Sequence, residues 1–128
     1  MNTDRIVTVR PQGTHLTKQQ LPNFDGVSAG TSGSKGICMH LVIIPPGGRA
    51  AAHFYDGYET ALYIIQGRAE TKYGANLEFS SINEASDFLF IPPDLPHQPI
   101  YLSDTVEVIA VVSRNDPHEQ ESVVVYKP

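Results

Sequence analysis

The stretch AAHFYDGYET, residues 51–60, places His53 and Tyr55 on either side of one phenylalanine, with Glu59 a short turn further on. Imidazole, phenol and carboxylate are side chains that hold divalent cations, move protons near neutral pH or hydrogen-bond a polar ligand. His53 and Tyr55 are two residues apart and so share one face of a strand. Glu59 begins the strand expected next. A second such place is SDFLFIPPDLPHQPIY, where His97 follows a proline-rich turn. Prolines donate no ladder hydrogen bond, so this segment is a turn entering a strand rather than part of a central one.

These side chains need a rigid frame, and the rest of the sequence supplies one. The 128 residues fit a single domain, 1–128, long enough to bury a core without disulfides. A lone cysteine, Cys38, forms no internal disulfide and gives no sign of a secreted scaffold. The net charge of −5 argues against a nucleic-acid binder. No apolar run approaches the ~20 residues of a membrane span, and MNTDRIVTVR lacks a signal-peptide core. A cytoplasmic protein with neither nucleic-acid nor membrane partner is expected. Ten glycines and ten prolines fall between short β-branched runs, the punctuation of an all-β domain. The runs RIVTV, KGICMHLVIIP, GRAAAHFY, TALYIIQ, GRAETKYG, NLEFSSI, SDFLFIP, HQPIYLS, TVEVIAVVS and ESVVVY predict roughly nine or ten strands in a sandwich or barrel. THLTKQQLPNF has room for one helical turn before Pro22.

The spacing Gly47, His53, Tyr55, Glu59, Gly67 (residues 47–67) and the spacing Ser86, Pro92, Asp94, His97 (within residues 86–101) together resemble the two signature motifs of the cupin superfamily. The first motif is Gly, His-x-His, Glu after three or four residues, then Gly; the second is Gly, Pro-x-Gly, two residues and His. The resemblance runs from Lys35 to about Val112. SKGICMHLVIIPPGGRAAAH, ETALYIIQGRAE, FLFIPPDLPHQPI and RNDPHEQESVVV look like a subgroup of small single-domain bacterial cupins. Members of that subgroup carry His where Tyr55 stands, and often where Tyr58 stands. In this chain Ser86 and Asp94 replace two motif glycines, and Tyr101 stands where Asn is common. Asp tolerates the left-handed backbone that the turn needs. The gap from Glu59 to Gly67 is one residue longer than the motif, a difference a β-bulge can absorb.

The resemblance implies an all-β double-stranded β-helix, the jelly-roll barrel of cupins, with a divalent metal inside. Residue by residue, His53, Glu59 and His97 are the expected metal ligands. Two imidazoles and a carboxylate suit Fe, and also Zn, Mn, Ni or Cu. Tyr55 has three readings: a phenolate ligand, a hydroxyl that hydrogen-bonds a metal-bound water or substrate and so acts in catalysis, or the filler of a site that has lost its metal. The second is preferred, because phenol is the poorer ligand at neutral pH. His40, in the apolar CMHLVII, is either a fourth ligand or a hydrogen-bonded core histidine. His15 and His118 read as surface residues, Cys38 as a buried apolar residue, Asp56 and Asp87 as turn residues, and GTSGSKG as a turn or cap. Tyr58, Tyr63 and Tyr101 either line the pocket mouth or pack. Two functions follow as expectations. One is a metal-dependent enzyme on a small polar molecule, of oxygenase, isomerase or decarboxylase type. The other is a non-catalytic barrel that binds or senses a small ligand without metal. A homodimer is expected, with RIVTV and ESVVVY across its interface.

Overall fold

Strict alternation builds the walls of the barrel. From Val108 to Arg114 every second side chain is buried, the period of a strand with one face on a core. In the computed structural model, residues 5–10, 13, 15–16, 22–102, 106–118 and 122–128 are described. Their strands are β1 (His15–Leu16), β2 (Pro22–Val27), β3 (Cys38–Ile44), β4 (His53–Tyr55), β5 (Thr60–Gln66) and β6 (Arg68–Tyr73), then β7 (Phe79–Glu84), β8 (Phe88–Ile91), β9 (His97–Tyr101), β10 (Val108–Arg114) and β11 (Val123–Val125). One short helix, α1 (Ala29–Ser32), follows β2.

The strands form two antiparallel sheets, in the orders β1-β2-β3-β10-β5-β8 and β11-β4-β9-β6-β7. Neighbours distant in sequence, such as β3 with β10 and β4 with β9, make this the expected double-stranded β-helix. The inner faces meet in a cluster of Ile44, Ala50, Ile64, Ala69, Tyr101 and Val108, with Val42 and Leu89 against it. Each large aliphatic side chain so buried contributes on the order of 1.5–3 kcal/mol.

One local expectation changes, and two segments take definite form. RIVTV is not a strand: residues 5–10 carry no regular pairing and Ile6 is almost fully exposed. PNFDGV, turn-like in composition, is strand β2, because β3 supplies its partner from Asn23↔Val42 onward. Within GTSGSKG the chain makes the last turn of α1, capped by Ser28 at its start and by Gly33 at φ +78°. The helical turn expected before Pro22 falls mostly outside the described residues.

The four motif positions that call for glycine all take left-handed backbone: Gly47 at φ +72°, Gly67 at +90°, Ser86 at +79° and Asp94 at +66°. Gly67 is also hemmed in, since a Cβ there would stand 2.9 Å from Val108 Cγ2. A β-bulge does occur in β5, where Ile109 opposes Gln66 while Ala110 opposes Ile64. Its extra residue is Ile65, which lies beyond the first half of the strand. Thr60, Leu62 and Ile64 therefore alternate inward without interruption.

Candidate functional site

β4 and β9 run antiparallel with His53 directly opposite His97. Cross-strand partners project to one face, and the two imidazole centroids lie 4.3 Å apart inside the barrel. Each ring is oriented by its own strand. His53 Nδ1 is 2.8 Å from the Ala51 carbonyl and His97 Nδ1 is 2.9 Å from the Leu95 carbonyl. A carbonyl only accepts, so both Nδ1 atoms carry the proton and both Nε2 atoms present lone pairs to the interior. Asp94 holds the turn in place: its N–H donates to the Tyr55 carbonyl (3.0 Å) and its Oδ1 accepts from Gly57 N–H (2.9 Å).

Tyr55 shares the inward face of His53, with ring centroids 5.4 Å apart in an edge-on contact. Behind Tyr55 lies Arg114, with Cζ 3.7 Å from the phenol centroid in a cation–π contact. Arg114 is buried. Its Nε donates to Thr60 Oγ1 (3.2 Å) and its Nη1 to Cys38 Sγ (3.8 Å). These contacts follow from register, because β10 places Arg114 opposite Thr60 on one side and Cys38 on the other. Burial is the main reason His53 is held down at about pKa 3; the nearby charges of His97 and Arg114 add to it, against the Ala51 hydrogen bond. His97 is lowered too, by burial first and Arg114 after it. Both imidazoles are neutral at neutral pH.

Glu59 is not brought to this group. Its side chain is exposed on an outer recess with Ile37, Met39, Phe90 and Asn115, and its backbone N–H donates to Asn115 Oδ1 (2.8 Å). Thr60, fully buried, faces the imidazoles' cavity instead. A shift of one residue along a strand moves a side chain to the opposite face, and the bulge at Ile65 comes too late to reverse it. The long gap to Gly67 was the signal: counted back six intervening residues, the motif position is Thr60. His40 is buried on β3 with Nδ1 accepting from Gly26 N–H (3.1 Å), a core histidine outside the cavity lining. Tyr63 stacks on Phe88 on the outer face, and neither Tyr58, Tyr63 nor Tyr101 lines the cavity. Arg114 had no motif to mark it.

Among the described residues no three His, Cys, Asp or Glu side chains gather as a metal cluster. The donors that do meet are two neutral imidazoles, a threonine hydroxyl and a phenol, with a buried guanidinium beside them. A divalent cation there would lack the anionic ligand that offsets its charge and would face Arg114 at close range, so the set does not fit the expected ion. The cavity itself, about 70 Å³, is mostly aliphatic, walled by Val42, Ile44, Leu62, Ile64, Leu89 and Val112 among others. Thr71, Asn83, Leu89, Ile91 and His97 also line a larger recess of about 420 Å³ beside β7 and β8, so the two spaces share that wall.

No family model matches the sequence, and no curated protein matches it. Solved structures do. An oxalate decarboxylase from Lactobacillus farciminis, in complex with formate, superposes with TM-score 0.74 at 19% identity, covering 88% of this chain and 32% of that one. Oxalate decarboxylase from Bacillus subtilis at pH 4.6 gives 0.70 at 19%, covering 94% and 29%. An uncharacterized conserved protein with a double-stranded β-helix domain from Klebsiella pneumoniae gives 0.70 at 14%, covering 99% of this chain and all of that one. The chain thus has the cupin-type double-stranded β-helix fold. It spans about a third of the length of the oxalate decarboxylases it matches, one of which, that of Bacillus subtilis, is described with Mn(II) centres. Among the described residues no helix is long and apolar enough to cross a membrane.

Proposed function

We propose that this chain is a small-molecule-binding barrel whose ligand enters from the β7–β8 side and meets His53 and His97 without a divalent ion between them. The observation that carries the reading is the strand register that turns Thr60 inward in place of Glu59 and sets Arg114 next to it. An aliphatic cavity ending in a few polar groups is the usual form of a ligand site. In this reading Tyr55 is a wall of the site and a platform for Arg114, with its hydroxyl orienting the ligand.

The metal-dependent enzyme is the second reading, favoured by the two Nε2 lone pairs that face the same interior. Elemental analysis of protein purified without added metal separates the two. The binding barrel gives far less than one equivalent of Mn, Fe, Ni, Cu or Zn and unfolds at the same temperature with or without chelator. One equivalent of any of them, lost in His97→Ala, overturns this reading and restores the expected oxygenase, isomerase or decarboxylase type.

A further inference from the structure

We infer that the cavity selects a small neutral molecule ending in an O–H or N–H donor, an alcohol or carboxamide, and turns away carboxylates and ammonium ions. The inference rests on the barrel being a ligand site and adds the chemical class of the ligand. Its basis is the tautomer that the backbone fixes. With Nδ1–H committed to Ala51 and Leu95, each ring has one remaining polar atom, and that atom accepts. Two acceptors on adjacent strands make a place that a donor completes.

The rest of the lining excludes charge. None of the side chains that line the cavity is a carboxylate, an ammonium or a guanidinium. Arg114 touches Tyr55, Thr60 and Cys38 and does not line the cavity, so it offers an entering anion no direct hydrogen bond. A carboxylate at the imidazoles would set its lone pairs against the two Nε2 lone pairs, and the other polar groups of the lining, the hydroxyls of Tyr55, Thr60 and Thr71 and the Asn83 amide, are neutral and supply no charge to balance it. An ammonium ion would lose its hydration close to a fixed positive charge. Burying either ion unpaired is strongly unfavourable. A hydroxyl or an amide N–H loses little, because Nε2 replaces the water it gives up. The volume, about 70 Å³, suits a chain of a few carbon atoms.

The test is a titration of the whole protein at neutral pH with 1-butanol, butyramide, butyrate, butylammonium and 1-chlorobutane, followed by the Nε2 signals of the two histidines in nitrogen NMR. Xenon serves as a probe of the space alone, since dry apolar cavities take it up. Butanol and butyramide are expected to bind at least about tenfold more tightly than butyrate and butylammonium. Each should also shift the Nε2 resonances. His97→Met is expected to cut the preference for butanol over 1-chlorobutane by about threefold to tenfold; the comparison of ligands on the unaltered protein stands even if that variant does not fold. Tighter binding of butyrate would overturn the inference in favour of an anion site. Xenon uptake with equal affinity for butanol and 1-chlorobutane overturns it while leaving the ligand cavity intact. No binding of any probe, xenon included, overturns both the inference and the proposed function.

Discussion

Acid should loosen this barrel well before its carboxylates titrate. His53 has an ordinary pKa of 6.5 and is held at about 3 in the folded chain, chiefly by burial. Its folded value lies below its unfolded one, so between those limits the unfolded chain binds the extra proton. Stability is then full above about pH 6.5 and falls as pH drops toward 3. For His53 alone the loss is about 2 kcal/mol by pH 5 and about 4 kcal/mol by pH 3. His97 is lowered in the same direction and adds to it. Against a total stability of roughly 5–15 kcal/mol, that is a large fraction. The assay is urea unfolding at several pH values from about 7.5 to 5. In His53→Gln, whose amide does not titrate, the slope in this window should shrink by up to about 1.4 kcal/mol per pH unit. Parallel curves for the two proteins over that window would refute the claim that the cavity holds His53 neutral.

Glu59→Ala should change the unfolding free energy by less than about 0.5 kcal/mol, as for an exposed side chain remote from any buried network; a large loss would mean that Glu59 turns inward after all. Ser86→Gly should raise stability by about 0.5 kcal/mol in thermal unfolding, because φ +79° strains any side chain with a Cβ, and a destabilised variant would show that the serine has a partner worth keeping. We propose that a homodimer forms on the exposed Phe88 and Phe90 of β8 with Ile65 of β5, in place of the RIVTV and ESVVVY interface expected from the sequence, because exposed large apolar side chains gathered in a patch are unusual for a free surface. Light scattering at micromolar concentration should give twice 14.0 kDa, and Phe88→Lys with Phe90→Lys should give the monomer; a monomeric parent removes the idea.

The jelly roll was legible because period-2 alternation and glycine–proline punctuation are local properties of strands such as Thr60–Gln66 and Val108–Arg114. The pairing of His53 with His97 was legible because two motifs named both residues. Glu59 was misplaced by one position, and a strand has no tolerance for that: the neighbour of an inward residue points outward. Arg114 was invisible for a different reason. Nothing near it in sequence marks it, and it enters the site only through strands β3 and β5, which lie far away along the chain. β2 was missed because Pro22, Asn23, Asp25 and Gly26 are turn formers, overridden here by a partner strand. RIVTV has strand propensity and no partner among the described residues.

The contacts around the site join parts of the chain that are far apart in sequence. Asp94 reaches Gly57 across 37 residues, Arg114 reaches Thr60 across 54 and Cys38 across 76. Closing loops of that length carries an entropic penalty that the contacts themselves must repay. The pocket therefore exists only when β3, β5 and β10 are paired with one another and β4 with β9, and a fragment lacking one of these strands cannot hold it. A molecule bound there acts on the closed barrel as a whole, and draws the folding equilibrium toward it by mass action.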